Sequence, residues 1–399
     1  MSKRGLLLLI FTLVLTLLFA GLVNAVFGSR CGGESDCGAG ERCVDRTCAI
    51  RFYDGVDEGT LSYQNAGTSQ HLNSVYFINN NIGWVVGNNG VIKRTMNGGR
   101  DWIAQPSGTS QHLNSVHFLS SNNPETAWGW VVGNNGVVMR TMNGGRDWTA
   151  QPSGTTNHLN SVFFISSTHG WAVGNNGRII ATTTGGTTWS YQGQPLGNVN
   201  FNSVHFVDPT NGWIVGDDRA SLLNAPILAT YSGGTEWLTT LGRNYQGNYN
   251  FVYSLRRATL FVGDYGTLIM HQTRNDNSIP FSWNRGPGGT AKNLNEVHAV
   301  IDPNDPTKAR VWIAGDDELV ASVLLRLRGS GSSSGWDFAS NRLTIPQGLG
   351  TKHLHSVFFS DYNNGWFVGD DGRIIHYAAA TPPPPPPPIL CTGAQDCPP

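Results

Sequence analysis

A segment of about forty residues recurs along this chain, a period that belongs to arrays of similar units rather than to a single irregular core. His71 to Gln111 contains HLNSVYF, GWVVGNNG and TMNGGRDW; from His112 it restarts almost unchanged, and it then degrades gradually toward the C-terminus. Gly-Trp pairs, Gly-rich turns and short β-branched runs inside such a period are the pattern of propeller blades. Aligned on the Gly-Trp-Val-Val-Gly run, the copies fall at Trp84–Gly87, Trp130–Gly133, Trp171–Gly174, Trp213–Gly216, Leu260–Gly263, Trp312–Gly315 and Trp366–Gly369. Seven copies predict an all-β, seven-bladed β-propeller.

Each full copy divides into four strand-like runs, as in Leu72 to Phe77, Gly83 to Gly87, Val91 to Thr95 and Trp102 to Gln105. Asn88-Asn89-Gly90 and Asn97-Gly98-Gly99 separate them, and Asn and Gly tolerate the positive φ that tight turns require. The two ends of the array are out of phase. The last copy stops at Ile374-Ile375-His376-Tyr377 without a fourth run, while Leu61 to Gln70 aligns without a gap on Trp102 to Gln111. The N-terminal run is therefore expected to complete the last blade, a closure that removes exposed sheet edges. Insertions fall around Ser121 to Trp128, Asp217 to Pro226, Asp302 to Lys308 and Ser330 to Ser334, and such loops on a rigid scaffold are where function usually resides.

Outside the propeller, expected over 60–378, the composition changes. Lys3 and Arg4 precede an apolar run from Leu6 to Val23 and small residues at Val23-Asn24-Ala25, the pattern of an export signal or an uncleaved anchor over 1–25. Cys31, Cys37, Cys43 and Cys48 follow within 26–50. In an exported chain that density predicts a small disulfide knob, with three pairings open, rather than a zinc site, whose tight Cys pairs and nearby His are missing. Ala49 to Gly59 reads as a connector. Near the other end, Pro382 to Pro388 predict a polyproline II spacer of roughly 20 Å within 379–390. Beyond it, over 391–399, Cys391 and Cys397 repeat the spacing and Asp-Cys ending of Cys31 and Cys37. They either pair with each other or open a second cysteine-rich module. Export places the chain outside the cytoplasm, secreted or anchored at the cell surface.

Within the repeat, Thr95-x-Asn97-x-Gly99-x-Asp101-Trp102 has the form of the Asp-box, or bacterial neuraminidase repeat, and it recurs from Thr141, Thr182 and Thr230. Its short polar side chain can bond turn backbone, its Gly permits the turn and its Trp covers the hairpin, so the motif reads as structural. Taken together, Gly170-Trp171-Ala172-Val173-Gly174-Asn175-Asn176-Gly177-Arg178-Ile179-Ile180 and Thr184-Gly185-Gly186-Thr187-Thr188-Trp189 resemble the photosystem II stability and assembly factor family. The resemblance runs from about residue 60 to 378. It implies a seven-bladed, non-catalytic propeller that binds a protein partner, with a membrane protein as a candidate, in an assembly or scaffold role. A cell-surface propeller of the Asp-box kind that binds or cleaves glycans is the alternative.

Candidate functional residues separate from structural ones by repeat position. Twelve of the thirteen tryptophans occupy two repeat sites, leaving Trp128 in an insertion as a candidate contact residue. The acid pairs Asp217-Asp218, Asp316-Asp317 and Asp370-Asp371 could serve a glycosidase, but they align with the Asn88-Asn89 turns and read as turn residues. His71, His112, His158 and His353 share one position before the first strand. A ring of imidazoles there suits a metal ion or an anionic group, while turn hydrogen bonding copied with the blade is the preferred reading. Arg94, Arg100, Arg140 and Arg146 repeat on adjacent blades as a candidate basic strip. A net charge of −1 gives no reason to expect nucleic acid, and no P-loop, nucleophile elbow or His-Glu-x-x-His segment occurs. A monomer without catalytic site, cofactor or metal is expected.

Overall fold

The computed structural model describes residues 41–380, except 45–46, 54–57, 122, 194–198, 218–226, 240–247, 256–257, 273–281, 286–289, 329–334 and 340–349. Every Gly-Trp run is the second strand of a four-stranded antiparallel blade, and the blades close into a seven-bladed propeller. In the first blade the strands are Leu72–Phe77, Gly83–Gly87, Ile92–Thr95 and Ile103–Gln105. Burial falls outward: all of Gly83–Gly87 is buried, whereas Ile103–Gln105 is largely exposed. The second strand is sandwiched between neighbouring blades, which is why it reads as continuous apolar sequence instead of alternating.

Aromatic stacking joins the blades. The last residue of a first strand lies flat on the tryptophan of the preceding blade: Phe118 on Trp84 at 3.6 Å, Phe164 on Trp130 at 3.6 Å, Phe206 on Trp171 at 3.6 Å and Phe77 on Trp366 at 3.5 Å. Each of those indole N–H groups then donates to a glycine carbonyl in the next blade's Asp-box, Trp84 to Gly144 at 3.2 Å and Trp366 to Gly98 at 3.3 Å. The fifth copy is irregular because Ser254 and Leu260 replace the Phe and Trp of this pair. Trp213 there packs on His271 and Phe261 instead.

The Asp-box is a hydrogen-bonded turn. Gly99 N–H donates to Thr95 Oγ1 at 2.8 Å, and the same bond recurs at Gly145, Gly186 and Gly234 with Thr141, Thr182 and Thr230. Gly145 has φ +79°, and a Cβ there would fall 2.5 Å from Trp84 Nε1, so both conformation and contact exclude a side chain. Thr95 is fully buried. Thr95→Ala is therefore expected to cost about 1–3 kcal/mol by orphaning a buried N–H, while Thr95→Ser stays near wild type; equal urea midpoints for the two variants would refute this role.

The ring closes as the phase shift predicts. Glu58–Asn65 pairs antiparallel with Arg373–Ala379 from Gly59↔Ala379 to Asn65↔Arg373, supplying the missing strand of the last blade. Tyr63 O–H donates to Glu318 Oε2 at 2.7 Å, and Arg373 Nε meets the other oxygen of that buried carboxylate at 2.9 Å. N-terminal strand, C-terminal strand and sixth blade thus share one charge cluster.

One expectation is corrected. Ala49–Gly59 is not a plain connector: Thr47–Tyr53 is a strand on the outer edge of Glu58–Asn65, with Glu41–Val44 beyond it, so the last sheet has six strands. An outermost strand offers unpaired backbone groups, and this hairpin covers them. Within it Cys43 and Cys48 hold facing register positions. Cys31, Cys37, Cys391, Cys397, the leader and the polyproline run lie outside the described residues. Among the described residues no helix is long and apolar enough to cross a membrane.

Candidate functional site

The alternating strand directions give the propeller two faces around a central channel. The Asn88–Gly90 turns and the histidines that precede four of the first strands share one face, and the Asp-box loops share the other. Sequence-derived candidates therefore divide between opposite sides of the molecule.

On the turn face, each histidine bridges to the preceding blade. Asn89 N–H donates to His112 Nδ1 at 3.3 Å and Asn135 N–H to His158 Nδ1 at 3.0 Å, while His353 Nδ1 lies 3.0 Å from Asp316 Oδ1. Where asparagine replaces histidine the bond survives, Asn176 N–H donating to Asn200 Oδ1 at 3.4 Å. The turn residues take positive φ as their type suggests: Asn89 +54°, Asp317 +53° and Asp371 +52°. Asp316 accepts from Asn293 and Asn295, and Asp217 from Asn202. Asp218 lies outside the described residues. The described acids are bound into their turns by these hydrogen bonds.

A further ring lies below the turns. Asn73 Nδ2 donates both to Asn88 Oδ1 of its own turn and to the Leu113 carbonyl of the next blade, at 3.1 and 2.8 Å. Asn114, Asn160, Asn202, Asn250 and Asn295 repeat this two-way bond. In the last blade the position is His355, whose Nε2 lies 2.8 Å from Asp370 Oδ1.

Deeper still, the first strands carry a feature the repeat alignment did not single out. Tyr76, His117, Phe163, His205, Tyr253, His298 and Phe358, one from each first strand, form an unbroken circle of rings with neighbouring centroids 4.5 to 5.1 Å apart. A cavity of about 260 Å³ adjoins them, lined also by Ser74, Ser115, Ser161 and Glu296. Burial pushes the three imidazoles down to about 3 and the Glu296 carboxyl up to about 8, hydrogen bonds from Ser356 and Val357 tempering the latter. Both effects follow from disfavouring charge in an enclosed space, and what surface these residues retain faces the channel interior. The signal was present in the sequence as seven aromatic or imidazole side chains at one repeat position.

On the Asp-box face the four arginines are not equivalent. Arg94 is buried and ion-paired with Glu125 of the second-blade insertion at 2.8 Å; Arg146 meets the other oxygen of the same carboxylate at 2.8 Å but stays exposed. The bond from Arg94, aided by both positive charges, holds the Glu125 carboxyl below its usual range. Arg140 lies over the Trp128 ring at 5.8 Å and donates to the Gly185 carbonyl. Trp128 is half-buried against Trp130. Arg100 is exposed, and beside these loops Met96 and Met142 are 53% and 50% exposed.

The fold and these loops define a seven-bladed propeller of the Asp-box class. The family described as photosynthesis system II assembly factor YCF48 matches it over residues 59–155 and 149–241. Over that part of its length the chain resembles the photosystem II assembly factor-like β-propellers. Similar solved structures include YCF48 bound to D1 peptide, 17% identical with TM-score 0.57, covering 83% of this chain and 98% of that one. YCF48 from Cyanidioschyzon merolae is 16% identical with TM-score 0.58, covering 80% and 98%. AFV00434, an ancestral GH74 enzyme, is 13% identical with TM-score 0.57, covering 78% of this chain and 45% of that one. At these identities the likeness is one of fold. No curated relative matches the chain.

Proposed function

We propose that this chain is an exported, non-catalytic propeller that binds an extended segment of a membrane-protein partner during assembly of a photosystem or a similar membrane complex. The observation that carries the reading is the Asp-box face of the first two blades. There the exposed Arg100 and Arg146 stand beside the exposed Met96 and Met142. Guanidinium groups pair with carboxylates and backbone carbonyls, and thioethers adapt to varied apolar side chains, a combination suited to peptide. Lys3, Arg4 and the apolar run after them support export.

A solved propeller of this kind carries a D1 peptide, which makes that peptide the first probe. Labelled D1 peptide titrated with the protein should show saturable binding, weakened at least tenfold (about 1.4 kcal/mol) in the Arg100→Glu/Arg146→Glu double variant. Absence of binding removes the D1 assignment, and binding indifferent to charge reversal removes this face. Hydrolysis of a glycan panel that is lost in Asp370→Asn would favour the glycan-cleaving alternative instead.

A further inference from the structure

The seam between the last and first blades departs from the repeat at two places that come together. Six blades carry asparagine at the position of His355, and there the amide bonds both its own turn and the next blade, leaving the repeat's structural need fully met. The last blade places an imidazole at that position. At the seams entering the second and third blades, the histidine preceding the first strand presents an unprotonated Nδ1, since it accepts a turn N–H at 3.3 or 3.0 Å. His71 Nδ1 lies 3.4 Å from the corresponding Asp371 N–H but only 2.7 Å from Asp370 Oδ1. One ring nitrogen cannot accept from the amide and donate to the carboxylate at once. Asp370 Oδ1 meanwhile faces a second imidazole nitrogen, His355 Nε2, at 2.8 Å. Three electron-rich atoms converge, all within 4.8 Å of one another.

We propose that this seam binds one divalent transition-metal ion of the zinc class through His71 Nδ1, His355 Nε2 and Asp370 Oδ1. Metal–ligand bonds of about 2.0–2.1 Å put tetrahedral neighbours roughly 3.3 Å apart, so the two short contacts need open by only about half an ångström. Two imidazoles and a carboxylate suit zinc, nickel, copper or iron better than magnesium or calcium. The carboxylate is already fixed in orientation, because its other oxygen accepts His353 N–H at 3.0 Å, the kind of outer contact that aims a ligand. Asp371 is engaged by Lys352 and is not counted among the ligands. The side chains of His71, His355 and Asp370 are 44%, 33% and 16% exposed. An ion there is reachable from solvent and keeps a coordination position open for water or a partner's side chain.

Equilibrium dialysis of the full chain against zinc ion tests the assignment, with two variants that install the repeat's own residues. His355→Asn copies six other blades, and Asp370→Asn copies the turns at Asn88, Asn134 and Asn175, so both preserve the fold's hydrogen bonding. The wild-type chain should bind one zinc equivalent more than either variant, or bind that equivalent at least tenfold more tightly. Equal zinc binding by all three proteins, including zinc held only by the cysteines, overturns the proposal.

Discussion

Deletion of Glu58–Asn65 will destabilise the entire propeller, not one blade of it. That strand pairs with Arg373–Ala379 along its length, buries Leu61 against the last blade and brings Tyr63 to Glu318 of the sixth. Without it the last sheet presents an open edge and Glu318 and Arg373 lose their third partner. The expected cost is on the order of 5 kcal/mol or more, from one buried leucine and a strand of backbone bonds. That lowers the midpoint of thermal unfolding by roughly 10 °C or more. Leu61→Ala alone should cost about 2–5 kcal/mol. A deletion variant melting with the parent would show that the ring does not depend on this closure.

The stability of the protein will fall steeply in acid. His117, His205 and His298 are held neutral, pushed down to about 3, against an ordinary value of 6.5, and His271 and His376 are pushed down to about 4. Below pH 6.5 the unfolded chain binds protons that the folded chain refuses, so stability present above that pH is lost progressively toward 3. Glu296 works with the opposite sign. Its folded value of about 8 exceeds its ordinary 4.5, so the folded state is penalised as pH rises from 4.5 to 8. Between 4.5 and 6.5 the two effects oppose, and in stronger acid the histidines are joined by carboxylates held below their ordinary range, Glu125 and Asp370 among them, whose ionised form stabilises the fold and is lost on protonation. The net acid loss is on the order of a few kcal/mol, reduced because the rings face a channel that can hold water. Urea midpoints measured from pH 4 to 9 check this. His205→Phe, which copies Phe163 and Phe358 of the same circle, should shallow the acid limb, and Glu296→Gln should flatten the alkaline one. A wild-type midpoint constant from pH 4 to 6 would sink the account.

Much of the architecture was legible because a blade repeats its reasons. The Gly-Trp strand, the Asn-Gly turn and the Asp-box each state their conformation locally, and the phase shift at the ends states the closure. What escaped depended on contacts between copies. Arg94 and Arg100 look alike in sequence, yet one is buried because an insertion a blade away delivers Glu125, and the other is exposed. The Tyr, His and Phe residues of the channel circle resemble drift at a tolerant position until seven strands bring them around one axis. His355 likewise looks like a neutral change from asparagine until ring closure sets it beside His71. The strand Thr47–Tyr53 was hidden by its neighbours: the cysteine spacing drew attention from a run, Ala-Ile-Arg-Phe-Tyr, whose β-branched and aromatic residues suit an edge strand.

The register of the closing strands also governs how the molecule hangs. Gly59 lies opposite Ala379, so the chain enters and leaves the ring at one point on its circumference. A tether on either tail, or on both, pulls at that single mooring without drawing one blade away from another.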